Sequence, residues 1–478
     1  MHDQAWDALI IGSGAGGAAA ACSLVRAGKK VLMLEKGEYL PTDGSTLDVA
    51  TVFGEGHFKN KQAWLDGNHK PFVPEEYYNV GGKTKWYGAA LLRFAPHEFE
   101  AEPDFNCLPW PFPYTTMKPW YDKAEELLHI SRFDFEPDLQ MLIDRQFSTG
   151  SGWRTEPLPL GLNKRILEHP NEARHFDGFA SVVGDKSEAE ASILNLIKDA
   201  PNFTLLTGKD VVELVSDSCD PSLIIGASCS DDTRFLANDV ILAAGAMASP
   251  RLLQRHFYRT GLDRRLPSES MLGRNFKMHM NSALMAFSAT KKHDLLRKTA
   301  IFFNDDFPHS SVQCLGWMDG EILASQLPTI LPRWVSNAMG ARAMGFFVTT
   351  EDGSSPENRI VASNGADAPP LLDYDPQRLP ASVREHQRII RSFSARLRSA
   401  GMLPTHRAMG LSGTAHALGS MVAGNDPDTS VVDARGKVHG MRGLYVSDGS
   451  ILPRSSRVNP ALSIYAWGLR LGNWLAWR

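Results

Sequence analysis

The chain opens on a short apolar run of strand type, Ala8-Leu9-Ile10-Ile11, and passes directly through Gly12-Ser13-Gly14-Ala15-Gly16-Gly17 into an alanine-rich stretch with helical character to about Ala27. A second apolar run, Val31 to Leu34, ends on Glu35. This pattern predicts strand, tight turn, helix, strand. Further along, Asp239 to Ala246 reads as a buried strand ending in small residues, followed by a helix start at Ser249-Pro250, with serine as cap and proline in the first position. Short runs at Ser282 to Ser288, Ala300 to Phe303 and Ala343 to Thr349 predict an antiparallel sheet, and a helical stretch follows from about Ala381 to Ala400. Near the end, Gly443 to Ser450 is a strand running into a polar turn. Asn459-Pro460-Ala461-Leu462 then predicts a helix to about Trp474, with Asn459 as N-cap and Pro460 in the first turn.

The first unit carries chemistry. Gly12 permits the turn, Gly14 lets backbone approach a pyrophosphate, Gly17 lets helix and strand pack closely, and the helix N-terminus attracts negative charge. Ser13 and Ala15 complete the loop. Glu35, about twenty residues past the glycines, is placed to accept hydrogen bonds from the ribose of an adenosine. The pattern predicts a dinucleotide site but leaves FAD and NAD open, because both present the same ADP half.

Bulk properties narrow the partners. With 478 residues, 43% hydrophobic, 22% charged and a net charge of -4, the chain has ordinary globular composition, with no case for a disordered tail or a basic nucleic-acid face. A small neutral substrate fits best. The N-terminus shows no secretion signal and no window approaches the roughly twenty apolar residues of a membrane span, so the cytoplasm is the expected compartment. Cys22, Cys107, Cys219, Cys229 and Cys314 are scattered and never spaced as CxxC, which predicts free thiols and argues against zinc or an iron–sulfur cluster. No metal is expected.

Asn79 to Ala90 places paired glycines and small residues around Trp86 and Tyr87, a composition suited to backbone approach to a flat ring. Together with Gly12 to Glu35, Ala243 to Leu253, His416 to Gly419 with Val431-Val432-Asp433, and Tyr445 to Pro460, this stretch resembles the glucose–methanol–choline (GMC) oxidoreductases, FAD enzymes that oxidise alcohols. Val80 to Phe94 and Phe176-Asp177-Gly178-Phe179 are similar to the pyranose oxidases of that family. The resemblance implies that Asp448-Gly449 meets the flavin's diphosphate and ribityl region, that Val211 meets the adenine through its backbone, that Tyr87, Gly88 and Ala89 lie near flavin N5, and that Gly82, Ala244, Pro460 and Ala461 also line the cofactor. Trp86 stands where some pyranose oxidases carry a flavin-linked histidine, which implies noncovalent FAD.

The resemblance also names a reaction. His416, followed closely by Gly419-Ser420, matches the family's usual catalytic base. A neutral imidazole has a pKa suited to taking a hydroxyl proton as hydride leaves the carbinol carbon. Asn459 matches the position that holds the substrate hydroxyl, and its helix start would stabilise negative charge on the reduced flavin. The expected architecture is α/β: a discontinuous Rossmann-like FAD domain (1–100, 185–260 and 405–478) and a substrate domain with an antiparallel sheet and helices (101–184 and 261–404). The expected activity is oxidation of a secondary hydroxyl of a sugar or glycoside to a ketone, with oxygen, quinone or another acceptor taking the electrons. A non-sugar alcohol, or a cyanohydrin lyase with non-redox FAD, is the alternative.

Overall fold

In the computed structural model, residues 6–148, 150–318, 320–326, 332–363 and 368–478 are described. The buried strand Trp6–Ile11 lies between two parallel neighbours, Val31–Leu34 and Arg234–Leu242. Phe203–Leu206 extends the parallel sheet beyond Val31–Leu34, and Leu444–Val446 pairs with the far end of Arg234–Leu242. An antiparallel hairpin, Val211–Ser216 and Ile224–Cys229, completes seven strands. Helix Ala15–Arg26 follows the first strand, and the C-terminal helix Ala461–Ala476 packs along it. The two helices approach closely because their contact is built of small residues: a Cβ on Gly468 would stand 2.5 Å from the Gly16 carbonyl oxygen.

A second sheet is wholly antiparallel, in the spatial order Leu403–Ala408, Met280–Phe287, Ala343–Thr350, Ser310–Cys314, Ala300–Asn304, Trp153–Pro157. Alternation sorts its faces. Leu284, Phe302, Val312, Phe346 and Val348 turn toward helix Pro380–Ser399 and pack with Ile389, Phe393 and Leu397. Gln313 and Phe347, paired across neighbouring strands, turn the other way. The fold is thus mixed α/β, a Rossmann-like parallel sheet beside a separate antiparallel one.

Three of the antiparallel strands have no apolar alternation to announce them. Ser310–Cys314 is polar yet fully buried, while Trp153–Pro157 and Leu403–Ala408 have charged or exposed residues. Leu403–Ala408 also straddles residue 405, the expected start of the last cofactor segment. Helix Tyr114–Leu127, inside the expected substrate insertion, packs on the C-terminal helix, where Tyr121 and Ser463 hydroxyls bond at 2.6 Å.

Two local expectations are corrected. The strand expected over Asp239 to Ala246 stops at Leu242, because the chain must turn at Gly245 (φ +85°) to start the next helix. Ser249 is the first residue of that helix and not its cap, which falls on Ala248. The Ser249 hydroxyl instead donates to Asp448 Oδ2 at 2.5 Å.

Candidate active site

The glycine loop sits where the parallel strands end. Gly12 has φ +106°, and a Cβ there would strike the Ala243 carbonyl oxygen at 2.4 Å. A Cβ on Gly17 would strike the Gly12 oxygen at 2.1 Å, whereas one on Gly14 would meet no atom within 4 Å. Gly12 and Gly17 therefore close strand against helix, and Gly14 leaves backbone open to a bound group. Gly82 faces this opening, its Cβ position 3.4 Å from Gly14 Cα. Helix Ala15–Arg26 brings its unpaired N–H groups to the same place. These features fit a dinucleotide pyrophosphate.

The acidic residues at this crevice are tied to the protein. Glu35 accepts from the Ser13 amide (3.0 Å), the Ser13 hydroxyl (2.6 Å) and the Gly37 amide (2.9 Å). Burial pushes its carboxyl up, opposed by these hydrogen bonds. Ser13 Oγ in turn accepts from the Gly81 amide at 3.0 Å, so this pair clamps the glycine loop to the segment that carries Gly82. Val211 opens its strand just past Lys209, whose amide donates to the Glu35 carbonyl at 2.8 Å. Asp448 is similarly occupied: the Gly245 amide, the Ser249 hydroxyl, and the amide and hydroxyl of Ser450 all donate to it. Its carboxylate pins the ends of the two parallel strands together, and Ala244, whose amide donates to Ser249 Oγ, is fixed by the same cluster. What Asp448-Gly449 offers a ligand is backbone.

The catalytic end is assembled from four segments. Residues 417–423 run beside the turn after Leu444–Val446, through bonds from the Gly419 amide to Gly449 O and from the Met421 amide to Ser450 O. His416, at the head of this segment, is half-buried. Its Nδ1 lies 3.1 Å from Nδ1 of His279, and His279 Nε2 lies 2.9 and 3.0 Å from the carbonyl oxygens of Ser455 and Ser456. Burial first, then any positive charge on His279 and the charges of Lys83 and Lys298, hold the His416 pKa well below its usual value, so the ring is neutral at neutral pH. The Phe347 ring meets His416 edge-on at 6.3 Å. Gln313, opposite Phe347 in the sheet, donates through Nε2 to Asn459 Oδ1. The outward face of the antiparallel sheet thus links His416 to Asn459.

Asn459 does not cap its helix. Pro460 occupies the cap position and Ala461 is the first helical residue, with no side-chain cap. The Asn459 carbonyl oxygen is held by Gln313, which leaves the amide N–H groups to donate elsewhere. Tyr87 donates to the Ser187 carbonyl at 2.5 Å, and its own carbonyl accepts from Lys186 Nζ at 3.0 Å. Gly88 leaves room for a buried ion pair, since a Cβ there would stand 2.0 Å from Lys298 Nζ and 2.1 Å from Asp177 Oδ1. Ala89 is a non-glycine residue in the left-handed region, at φ +52°. Trp86 lies in an aromatic cluster, stacked on Tyr77 with its N–H on Asn79.

Sequence reasoning missed His279, Gln313 and the Lys298–Asp177 pair. Asp177 stands in Phe176-Asp177-Gly178-Phe179, but nothing in its neighbourhood points to a lysine distant in sequence, and His279 lies in a mixed polar and apolar stretch, Asn275 to Ser282, without a catalytic pattern.

A family model described as GMC oxidoreductase matches residues 357–468, and one described as NAD(P)-binding Rossmann-like domain matches residues 10–54. Paromamine 6'-oxidase from Streptomyces fradiae is 28% identical over 98% of this chain and 91% of its own length. The 6'''-hydroxyparomomycin C oxidase of Streptomyces lividus is 27% identical over 99% and 92%. The chain belongs to the GMC oxidoreductases. As a GMC oxidoreductase it acts on CH–OH groups, as oxidase or dehydrogenase, and the family implies FAD in the crevice. The GMC fold recurs in pyridoxine 4-oxidase from Mesorbium loti, with TM-score 0.64 and 18% identity over 98% of this chain and 99% of that one. No helix among the described residues is long and apolar enough to cross a membrane.

Proposed function

We propose that this protein oxidises a hydroxyl of a sugar or glycoside, with noncovalently bound FAD as electron acceptor, His416 as general base and Asn459 as donor to the substrate oxygen. The observation that carries this reading is the linkage of a neutral, half-buried His416 to Asn459 through Phe347 and Gln313 of the antiparallel sheet. FAD, when bound, takes the two electrons together with the carbinol hydrogen. His416 accepts the hydroxyl proton, which makes that departure possible without a free alkoxide. The Asn459 amide holds the oxygen and sets which C–H faces the cofactor. The start of helix Ala461–Ala476 favours negative charge at the same place.

A secondary ring hydroxyl would give a ketone. The two Streptomyces relatives, named for a 6' position and for a paromomycin, bring amino-sugar glycosides into the first panel, and oxidation at an exocyclic C6' would give an aldehyde. The test is anaerobic: purified yellow protein is mixed with monosaccharides, glycosides, paromamine and simple aromatic alcohols, and flavin absorbance is followed. Bleaching by carbohydrates is expected, and product analysis separates ketone from aldehyde. Bleaching by aromatic alcohols alone would overturn the substrate class. Trp86 in place of a tethering histidine supports noncovalent FAD, so acid precipitation should release the yellow chromophore into the supernatant, and colour in the pellet would contradict it.

A further inference from the structure

The contact between His416 and His279 fixes more than position. We propose that His279 is a positioning residue that sets the tautomer of His416, so that His416 presents a bare Nε2 to the substrate; the inference rests on His416 being the base. His279 Nε2 lies within hydrogen-bond distance of two carbonyl oxygens, those of Ser455 and Ser456. Carbonyls only accept, so Nε2 carries the hydrogen. A neutral imidazole has one N–H, which leaves His279 Nδ1 as an acceptor. The 3.1 Å contact between the two Nδ1 atoms needs one proton, and it comes from His416. Having spent its single hydrogen there, neutral His416 has a lone pair on Nε2.

When His416 takes a proton on Nε2, its Nδ1–H still donates to His279, now as a charge-assisted bond. No atom has to move.

The backbone holds His279 to this task. Both His279 (φ +62°) and Ser456 (φ +69°) are left-handed non-glycine residues, conformations that persist only when surrounding structure enforces them. Ser455 Oγ donates to Asp352 at 2.7 Å, and Glu351 accepts from the Ser456 amide at 3.2 Å. Lys277 and Leu418 exchange backbone bonds of 2.9 and 3.0 Å, which sets the register of the two histidine-bearing segments.

The test uses the FAD-loaded protein with ¹⁵N-labelled histidine rings, His416 being assigned by loss of its signals in His416→Ala. The ring signals of wild-type His416 at neutral pH should show Nδ1 protonated and Nε2 bare. In His279→Ala that preference should disappear, and reduction of the flavin by whichever panel carbohydrate bleaches it should slow by on the order of a hundredfold with little change in the substrate concentration for half-saturation. In His279→Asn, whose Oδ1 replaces the Nδ1 acceptor and whose residue type tolerates the left-handed region, most of the rate should return. A wild-type His416 protonated on Nε2, or a tautomer unchanged in a folded, yellow His279→Ala, would overturn the proposal. Normal flavin reduction by His416→Ala would instead remove the base assignment and leave the tautomer result standing.

Discussion

At the scale of single residues, the groups around the candidate site are defined by what already occupies them. Asp448 presents a carboxylate whose four acceptor positions are taken, so it organises the crevice and leaves ligand contact to backbone, whereas Glu35 Oε1 holds one bond, from the Gly37 amide, and keeps acceptor capacity. His416 is different, because among the described residues its hydrogen-bond partner, His279, engages Nδ1 and not Nε2. His416→Ala should keep bound FAD and lose on the order of a hundredfold or more of substrate-driven flavin reduction, the ordinary effect of a lost general base; stopped-flow absorbance measures it, and near-normal reduction would refute the assignment. Since burial and neighbouring charge lower the His416 pKa, the wild-type rate should hold steady on acidification through the usual histidine range. It should fall only below that range, where the base is finally protonated. His416 was legible in sequence because glycine and serine follow it in a family pattern. Asn459 was legible by position and misread as a cap, because an asparagine before proline is a good cap in isolation and only Gln313 claims its oxygen in the fold.

At the scale of elements, strong periodicity was readable and burial of polar strands was not. Trp6–Ile11, Ala15–Arg26 and Val31–Leu34 fall where the pattern predicts them, since each buries a continuous apolar run. Helix Pro380–Ser399 also matches its expected span and carries a polar feature into the core: His386 lies between the Ser282 and Thr350 hydroxyls, each 2.9 Å away. Burial, with a smaller effect from His406, pushes its pKa down to about 4 from the usual 6.5. Above pH 6.5 the ring is neutral in folded and unfolded chains alike. Below it, the unfolded chain takes a proton that the fold refuses, so stability should fall as pH drops from about 6.5 toward 4, by on the order of 3 kcal/mol at the lower end. Thermal melts across that window should flatten in His386→Gln, and an unchanged slope would show that other groups govern acid sensitivity.

At the scale of the whole molecule, the two sheets are joined by buried charge behind the site. Arg454, which follows the last cofactor strand, donates to both oxygens of Glu351 at 2.9 and 2.7 Å; Glu351 lies just past the end of strand Ala343–Thr350. His309 adds a 3.2 Å contact to Glu351 and a 2.9 Å contact to Glu102. Against the cost of burial, Arg454 and His309 hold the Glu351 carboxyl far below its ordinary range. Glu351→Ala would leave Arg454 charged and unpaired in the interior, and should destabilise the protein by about 3–5 kcal/mol. Urea unfolding measures this, and a loss below about 1 kcal/mol would show that water or a rearranged partner replaces the carboxylate. Sequence alone determined the dinucleotide crevice, the family and the candidate base, because glycine spacing, apolar runs and the His416 segment are local patterns whose chemistry travels with them. Tertiary structure decided which polar groups are spent and which are free. Hydrogen bonds between Glu35 and Ser13, Gln313 and Asn459, and His279 and His416 join residues far apart in the chain, and a donor's partner is fixed only when folding brings it within hydrogen-bond reach, here 3.1 Å or less.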